Sequence, residues 1–169
     1  MQLPDPEHLV QQLAAALKPR LRANTVLVGI HTGGVWIAQK LRQQLGATLP
    51  LGTLDISFYR DDFSSAGLHP QVRPSDIPFA VEDAHVILID DVLHTGRTVR
   101  AAMNELFDYG RPAAIELVVL IDRGGRELPI AADFIGARLA LTENQNIQVT
   151  LDGANNNPDH RLMLSLHQR

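Results

Sequence analysis

The stretch His85-Val-Ile-Leu-Ile-Asp90-Asp91-Val-Leu-His-Thr95-Gly96-Arg97-Thr98 decides the fold. Val86 to Ile89 is a short apolar run of mostly β-branched residues, the pattern of a parallel strand covered on both faces. Two carboxylates stand where the strand ends, and a turn rich in Thr and Gly follows. Val99, Ala102, Met103, Leu106 and Phe107 then recur at helical spacing, and Gly110 with Pro112 stops that helix. Open α/β sheets bind ligands at the carboxyl ends of their strands, so chemistry is expected at this turn.

The turn also indicates the kind of ligand. A helix opening at Thr95-Gly96-Arg97-Thr98 presents unpaired first-turn amides that favour an anion, and Gly96 lets the backbone curl around it. Thr95 and Thr98 add hydroxyl donors and Arg97 adds positive charge. Asp90 and Asp91 act in the opposite sense, because carboxylates repel phosphate. A ligand that satisfies both carries a phosphate for the turn and hydroxyls, or a bound cation, for the carboxylates. A ribose 5-phosphate fits. Two other readings share the spacing: a strand end that merely caps a helix, and a metal-dependent phosphoacceptor built on paired acids. A Walker A loop is excluded, since no Gly-Lys-Ser/Thr is present.

Working outward, Thr25-Val-Leu-Val-Gly-Ile30 reads as another strand, followed by His31-Thr32-Gly33-Gly34 and a helix from Val35 to Leu45 that ends at Gly46. This is a second strand–glycine turn–helix unit. Gly33-Gly34 is either a tight turn or a place where an anion approaches the backbone. Two such units could hold the two ends of one doubly phosphorylated ligand. Leu9, Leu13, Ala16 and Leu17 predict an amphipathic first helix after Pro4-Asp5-Pro6, stopped near Pro19. Lys18, Arg20 and Arg22 at its end complement the helix dipole or offer a contact to RNA.

Leu54 to Arg60 alternates and predicts a strand, and Asp61 to Pro78 turns polar, as expected of a lid beside a phosphate site. Arg60 and Arg73 flank that segment and could meet a leaving phosphate. Ala114 to Ile121 predicts a buried strand leading into Asp122-Arg123-Gly124-Gly125-Arg126-Glu127-Leu-Pro129. Short strands are predicted at Ala132–Gly136, Ile147–Asp152 and Leu162–Leu166.

The chain has 169 residues, 45% hydrophobic and 20% charged, enough for one domain with a real core. Cysteine is absent, which leaves disulfides and thiolate metal sites out and suits a reducing compartment. No apolar run approaches the roughly 20 residues that span a bilayer, and the first residues lack the basic and apolar regions of a signal peptide. A cytoplasmic protein with no membrane partner is expected. The net charge of −4 gives no whole-chain basic signature, so any nucleic-acid site must be local.

With these segments in hand, the chain resembles the type I phosphoribosyltransferases. Val86-Ile-Leu-Ile-Asp-Asp-Val-Leu-His-Thr-Gly-Arg-Thr98 looks like their signature for 5-phosphoribosyl pyrophosphate. Within them it is most similar to the pyrimidine operon regulators that double as uracil phosphoribosyltransferases. That match rests on Leu27–Ile30, Asp55–Asp62, Asp76–Pro78, the signature through Arg100, Gly110–Pro112, Leu120–Ile130, Ala132-Asp133 and Leu151-Asp152, in the family's order.

The resemblance implies a single domain over 1–169, with a mostly parallel sheet between helices, a small hood and a flexible loop over about 61–78. It implies Mg²⁺ carried by the substrate pyrophosphate, with no protein side chain assigned to the metal. It also implies a homo-oligomer, dimer or tetramer. The implied partners are uracil, 5-phosphoribosyl pyrophosphate, UMP or UTP, and leader RNA of the pyrimidine operon. By matching position, Asp90 and Asp91 would hold the ribose hydroxyls, and Val92, Leu93, His94, Thr95, Gly96, Arg97 and Thr98 would cradle the 5-phosphate. Thr32, Gly33 and Gly34 would take the pyrophosphate, and Arg123 would help form the base pocket. Asp90, Asp91 and Arg60 are the catalytic candidates.

The chain departs from the family in places. The family commonly has Lys-Thr-Arg-Gly where this chain has His31-Thr32-Gly33-Gly34, which weakens pyrophosphate neutralisation and predicts low turnover. Gly125 replaces a frequent His and Ala131 a frequent Arg, and each lost cation lowers electrostatic affinity for RNA. The rival functions are therefore an RNA-binding regulator with vestigial catalysis and a purine-base phosphoribosyltransferase.

Overall fold

The computed structural model describes residues 1–57, 74–153, 155, 157 and 159–169. Arg60, Arg73 and the expected lid up to residue 73 lie outside the described residues.

Helix α1 (Pro6–Leu17) begins where Pro6 presets the first helical turn and the Asp5 carboxylate accepts the Glu7 amide at 3.2 Å. Strand β1 (Thr25–Ile30) leads into α2 (Gly33–Leu45) and β2 (Leu51–Leu54). Strand β3 (His85–Leu93), α3 (Arg97–Tyr109), β4 (Ala114–Asp122) and β5 (Phe134–Arg138) follow, and β6 (Gln145–Leu151) and β7 (Leu162–Gln168) close the chain. The first five strands form one parallel sheet in the order β2-β1-β3-β4-β5. Strands β6 and β7 form a separate antiparallel pair.

The strand order places the site. From β1 the chain steps outward through α2 to β2, then crosses to the other side of β1 and proceeds outward again from β3. The direction reverses between β1 and β3, so the turns after these two strands open away from each other and leave a crevice between them.

Burial follows the pleat. Leu27, Ile87, Ile89, Val118 and Leu120 face α1, α2 and the β6–β7 pair. Val26, Val28, Val86, Leu88, Leu117 and Val119 face α3. Val86 to Ile89 is wholly inaccessible, as a strand covered on both sides requires. The α1/α2 layer also holds the hood: Glu7 Oε1 accepts from Lys40 Nζ at 3.0 Å and from the Leu162 amide at 2.7 Å. Glu7 thereby joins α1, α2 and the start of β7.

Three sequence expectations shift. Of the strand expected at Leu54–Arg60, residues 58–60 lie outside the described residues, and the described strand is Leu51–Leu54, because β1 sets its register (Leu27 with Leu51 through Ile30 with Leu54). The Asp55 carboxylate then accepts the Ser57 amide at 2.9 Å, a local turn that competes with the ladder. The strand expected at Ala132–Gly136 starts at Phe134, since Asp133 is tied to Leu117 through both its amide and its carboxylate. On α3 the buried residues are Val99, Ala101, Ala102 and Leu106, whereas Phe107 is 53% exposed. The covered face is thus rotated toward Ala101.

Candidate functional site

Each side of the crevice is a helix start left open by its own cap. Thr32 precedes α2 and Gly96 precedes α3, and neither cap makes a side-chain hydrogen bond. Gly96 sits at φ 93°, a conformation that L side chains rarely adopt, and a Cβ there would also press on Ile130 at 3.1 Å. Thr95 Oγ1 accepts the Arg97 amide at 3.2 Å and so tightens the turn. A cavity of 160 Å³ lies inside it, lined by Asp90, Val92, Leu93, His94, Thr95, Gly96, Thr98 and Val99. Six of these residues belong to the sequence-predicted cradle. Leu93 contributes backbone only, since its side chain is buried in the core.

The two carboxylates end the central strand. Asp90 is 5% exposed, and its Oδ1 accepts the Asp91 amide at 2.9 Å. Asp91 Oδ1 in turn accepts the Val92 amide at 2.8 Å, and Oδ2 lies against Gly33. A Cβ at Gly33 would stand 2.3 Å from that oxygen, and one at Gly34 would stand 2.4 Å from the Ile89 carbonyl. The adjacent glycines therefore serve contact between the start of α2 and β3. The start of α2 thus meets the end of β3 at Asp91.

Other predicted residues are committed elsewhere. Arg97 Nε is paired with Glu127 Oε2 at 2.6 Å. Arg123 donates from its amide to the Leu93 carbonyl at 3.0 Å, while its guanidinium reaches the hood at Gln145 O (2.8 Å) and Asn146 Oδ1 (3.1 Å). Burial, with a smaller contribution from Arg169, lowers its pKa. Arg123 thus links the turn to β6. Arg60 lies outside the described residues.

The sequence reading does not single out Arg126, yet the structure centres it behind the His94–Gly96 turn. Its Nη1 donates to the His94 carbonyl at 2.8 Å, its Nε to the Ile130 carbonyl at 2.9 Å and its Nη2 to Asp122 Oδ2 at 2.7 Å. Burial would raise the Asp122 pKa. The bonds from Arg126 and the Gly124 amide, with the charges of Arg126 and Arg138, outweigh burial and hold it below the usual carboxylate value. The only sequence signal is an arginine four residues after an aspartate at a strand end. Beside it, a Cβ at Gly125 (φ 76°) would collide with the His94 ring at 2.7 Å, while His94 Nδ1 bonds the Gly124 carbonyl at 2.9 Å. Gly125 and His94 are matched to each other.

Among the described residues no group of three or more His, Asp or Glu could hold a metal. Asp90 and Asp91 offer hard oxygen donors, which suit Mg²⁺ completed by substrate oxygens. None of the described helices is long and apolar enough to cross a membrane.

A family model for the phosphoribosyl transferase domain matches residues 3–153. The bifunctional protein PyrR of Pseudomonas putida strain W619 is 56% identical over 154 residues, covering 89% of this chain and 90% of that protein. Its counterpart in Pseudomonas fluorescens strain ATCC BAA-477 is 54% identical, covering 89% and 92%. Among solved structures, a hypoxanthine phosphoribosyltransferase from Staphylococcus aureus superposes with a TM-score of 0.63 at 25% identity, covering 80% of this chain and 73% of its own. A hypoxanthine-guanine phosphoribosyltransferase from Bacillus anthracis gives a TM-score of 0.65 at 17% identity, covering 83% and 86%, a likeness of fold.

Proposed function

Since the chain belongs to the phosphoribosyl transferase family, we propose that it converts uracil and 5-phosphoribosyl pyrophosphate to UMP and pyrophosphate. The same chain, one domain over 1–169, regulates pyrimidine biosynthetic genes in the cytoplasm by nucleotide-responsive binding to leader RNA, as a homo-oligomer. The observation that carries the catalytic reading is the packing of the open start of α2 against Asp91 at the end of β3, from which the Val92–Thr98 turn runs on to the open start of α3. One turn suits the 5-phosphate, the other the pyrophosphate, and the carboxylates between them suit the ribose hydroxyls. Relatives named as bifunctional PyrR at 54–56% identity favour a pyrimidine over the purines named in the more distant structural neighbours.

Breaking the bond from the anomeric carbon to pyrophosphate builds positive charge on the ribose and negative charge on the leaving group. The amides of Gly33 and Gly34 and the Thr32 hydroxyl face the leaving group, and Asp90 and Asp91 stabilise the cationic sugar. Val92 to Thr98 hold the 5-phosphate as a fixed anchor, so the sugar alone moves between leaving group and base. Asp90 and Asp91 would stand beside a Mg²⁺ brought by the pyrophosphate, which would supply charge neutralisation. Gly33 contributes no cation to this turn, which keeps turnover low.

The test is incubation with Mg²⁺, 5-phosphoribosyl pyrophosphate and each base in turn, following pyrophosphate release. Release with uracil is expected. Turnover of hypoxanthine or guanine without uracil would overturn the assignment. A filter-binding titration with pyrimidine-operon leader RNA checks the regulatory half, and binding that ignores uridine nucleotides would refute it.

A further inference from the structure

We propose that Arg126 is a positioning residue that aims the backbone amides of the phosphate turn, an inference that rests on reading that turn as the 5-phosphate site. A trans peptide is planar, with its C=O and N–H pointing in opposite directions. The His94–Thr95 and Thr95–Gly96 peptides are both trans. Holding the carbonyl of either one therefore aims the following amide.

The Asp122–Ile130 arm, no residue of which lines the cavity, holds both carbonyls. Arg126 Nη1 grips the His94 carbonyl at 2.8 Å, which turns the Thr95 amide away from the arm, and Thr95 lines the cavity. The amides of Glu127 (2.9 Å) and Leu128 (3.2 Å) grip the Thr95 carbonyl and turn the Gly96 amide the same way. The arm cannot slide, because Arg126 also closes it on itself through Ile130 O and Asp122 Oδ2. Asp122 Oδ1 takes the Gly124 amide at 3.0 Å and fixes the Gly124-Gly125 bend from which Arg126 departs.

Electrostatics act in the same direction. A guanidinium bonded to the His94 carbonyl polarises that peptide and makes the Thr95 N–H a stronger donor to an anion. The side chain is 24% exposed, so the charge is screened less than that of a surface arginine. Arg126 touches no substrate in this arrangement. It acts through the peptide it holds.

A merely structural staple would affect every ligand of the crevice alike, whereas an aiming residue affects the phosphate. The experiment compares UMP with uridine by calorimetry, because the two differ only in the 5-phosphate. Wild type must bind UMP more tightly than uridine. If it does not, the phosphate-turn reading itself falls, whatever Arg126 does. Given that preference, Arg126→Gln is expected to weaken UMP about tenfold, the scale of a bond from a charged donor. Uridine affinity should stay unchanged, so that the UMP preference collapses.

Arg126→Lys keeps the charge and a bond to Asp122 but cannot span three acceptors, so it is expected to fall between the two. It carries the test alone if the Gln variant does not fold. Undiminished UMP preference in the variant that folds, or equal losses for UMP and uridine, would overturn the inference. Amide NMR adds a local readout: the Thr95 and Gly96 resonances should shift on adding UMP to wild type, and the Thr95 shift should shrink in Arg126→Gln.

Discussion

Replacing Gly33 or Gly34 by Ala tests whether the start of α2 is built to receive β3. Both residues lie in the first turn of α2, where Ala is ordinarily favoured over Gly by up to about 1 kcal/mol. Neither has a positive φ, so the backbone alone would accept the change. The obstacle is what stands opposite. A Cβ at 33 meets Asp91 Oδ2 at 2.3 Å and Cγ at 2.7 Å, a carboxyl that can swing aside, and Asp91 Cβ at 2.8 Å, which only a small backbone shift can relieve. A Cβ at 34 meets the Ile89 carbonyl oxygen at 2.4 Å and the Asp90 Cα at 3.1 Å, which belong to the central strand and cannot.

Overpacking costs about 1–3 kcal/mol. Gly33→Ala should therefore lose about 1 kcal/mol net and Gly34→Ala about 2 kcal/mol or more, both by urea unfolding. The functional order differs from the stability order. Swinging Asp91 away breaks its 2.8 Å bond to the Val92 amide and removes it from the ribose hydroxyls it is proposed to hold. Gly33→Ala should accordingly lower kcat for uracil about tenfold, near 1.4 kcal/mol at the transition state. In Gly33→Ala/Asp91→Asn the losses should coincide rather than add, because both act through one carboxylate. Additive losses, or a Gly34→Ala variant as stable as wild type, would refute this reasoning.

Two further predictions concern the frame. At the far end of the sheet, buried His85 bonds Thr25 at 2.8 Å and Glu116 at 2.6 Å, and Glu116 also bonds Arg20. Burial would raise the Glu116 pKa, but the bonds and charges of Arg20 and His85 hold it below the ordinary 4.5. A lowered carboxyl contributes stability that is complete above its unfolded value and is lost as pH falls through the folded one. Below pH 4.5 the wild-type urea midpoint should therefore fall more steeply than that of Glu116→Gln, and equal slopes would count against the network. Glu7→Gln leaves Lys40, 9% exposed, without its anionic partner and should destabilise by about 2 kcal/mol. Hydrogen exchange should then accelerate first at the Leu162 amide, whose acceptor changes from a carboxylate to a neutral amide oxygen.

The sequence by itself determined the parts that obey local periodicity. Thr25–Ile30 and Val86–Ile89 are continuous apolar runs, Gly46 and Gly110 stop the helices, and the Asp-Asp-turn-helix pattern is a candidate anion site read from local spacing. Such signals survive because helix hydrogen bonds join residues four apart in the chain, and a continuous apolar run reflects burial on both faces whichever strands become its neighbours. Tertiary structure decided which strands became neighbours, and so brought Gly33 against Asp91. It also started β2 at Leu51, since a parallel partner and not the alternation of Leu54–Arg60 sets that register. Arg123 and Arg126 read alike in a line of letters, yet one reaches the hood and the other the back of the phosphate turn. Their main acceptors are main-chain carbonyls, which every residue carries, so no residue type in the sequence announces the contact.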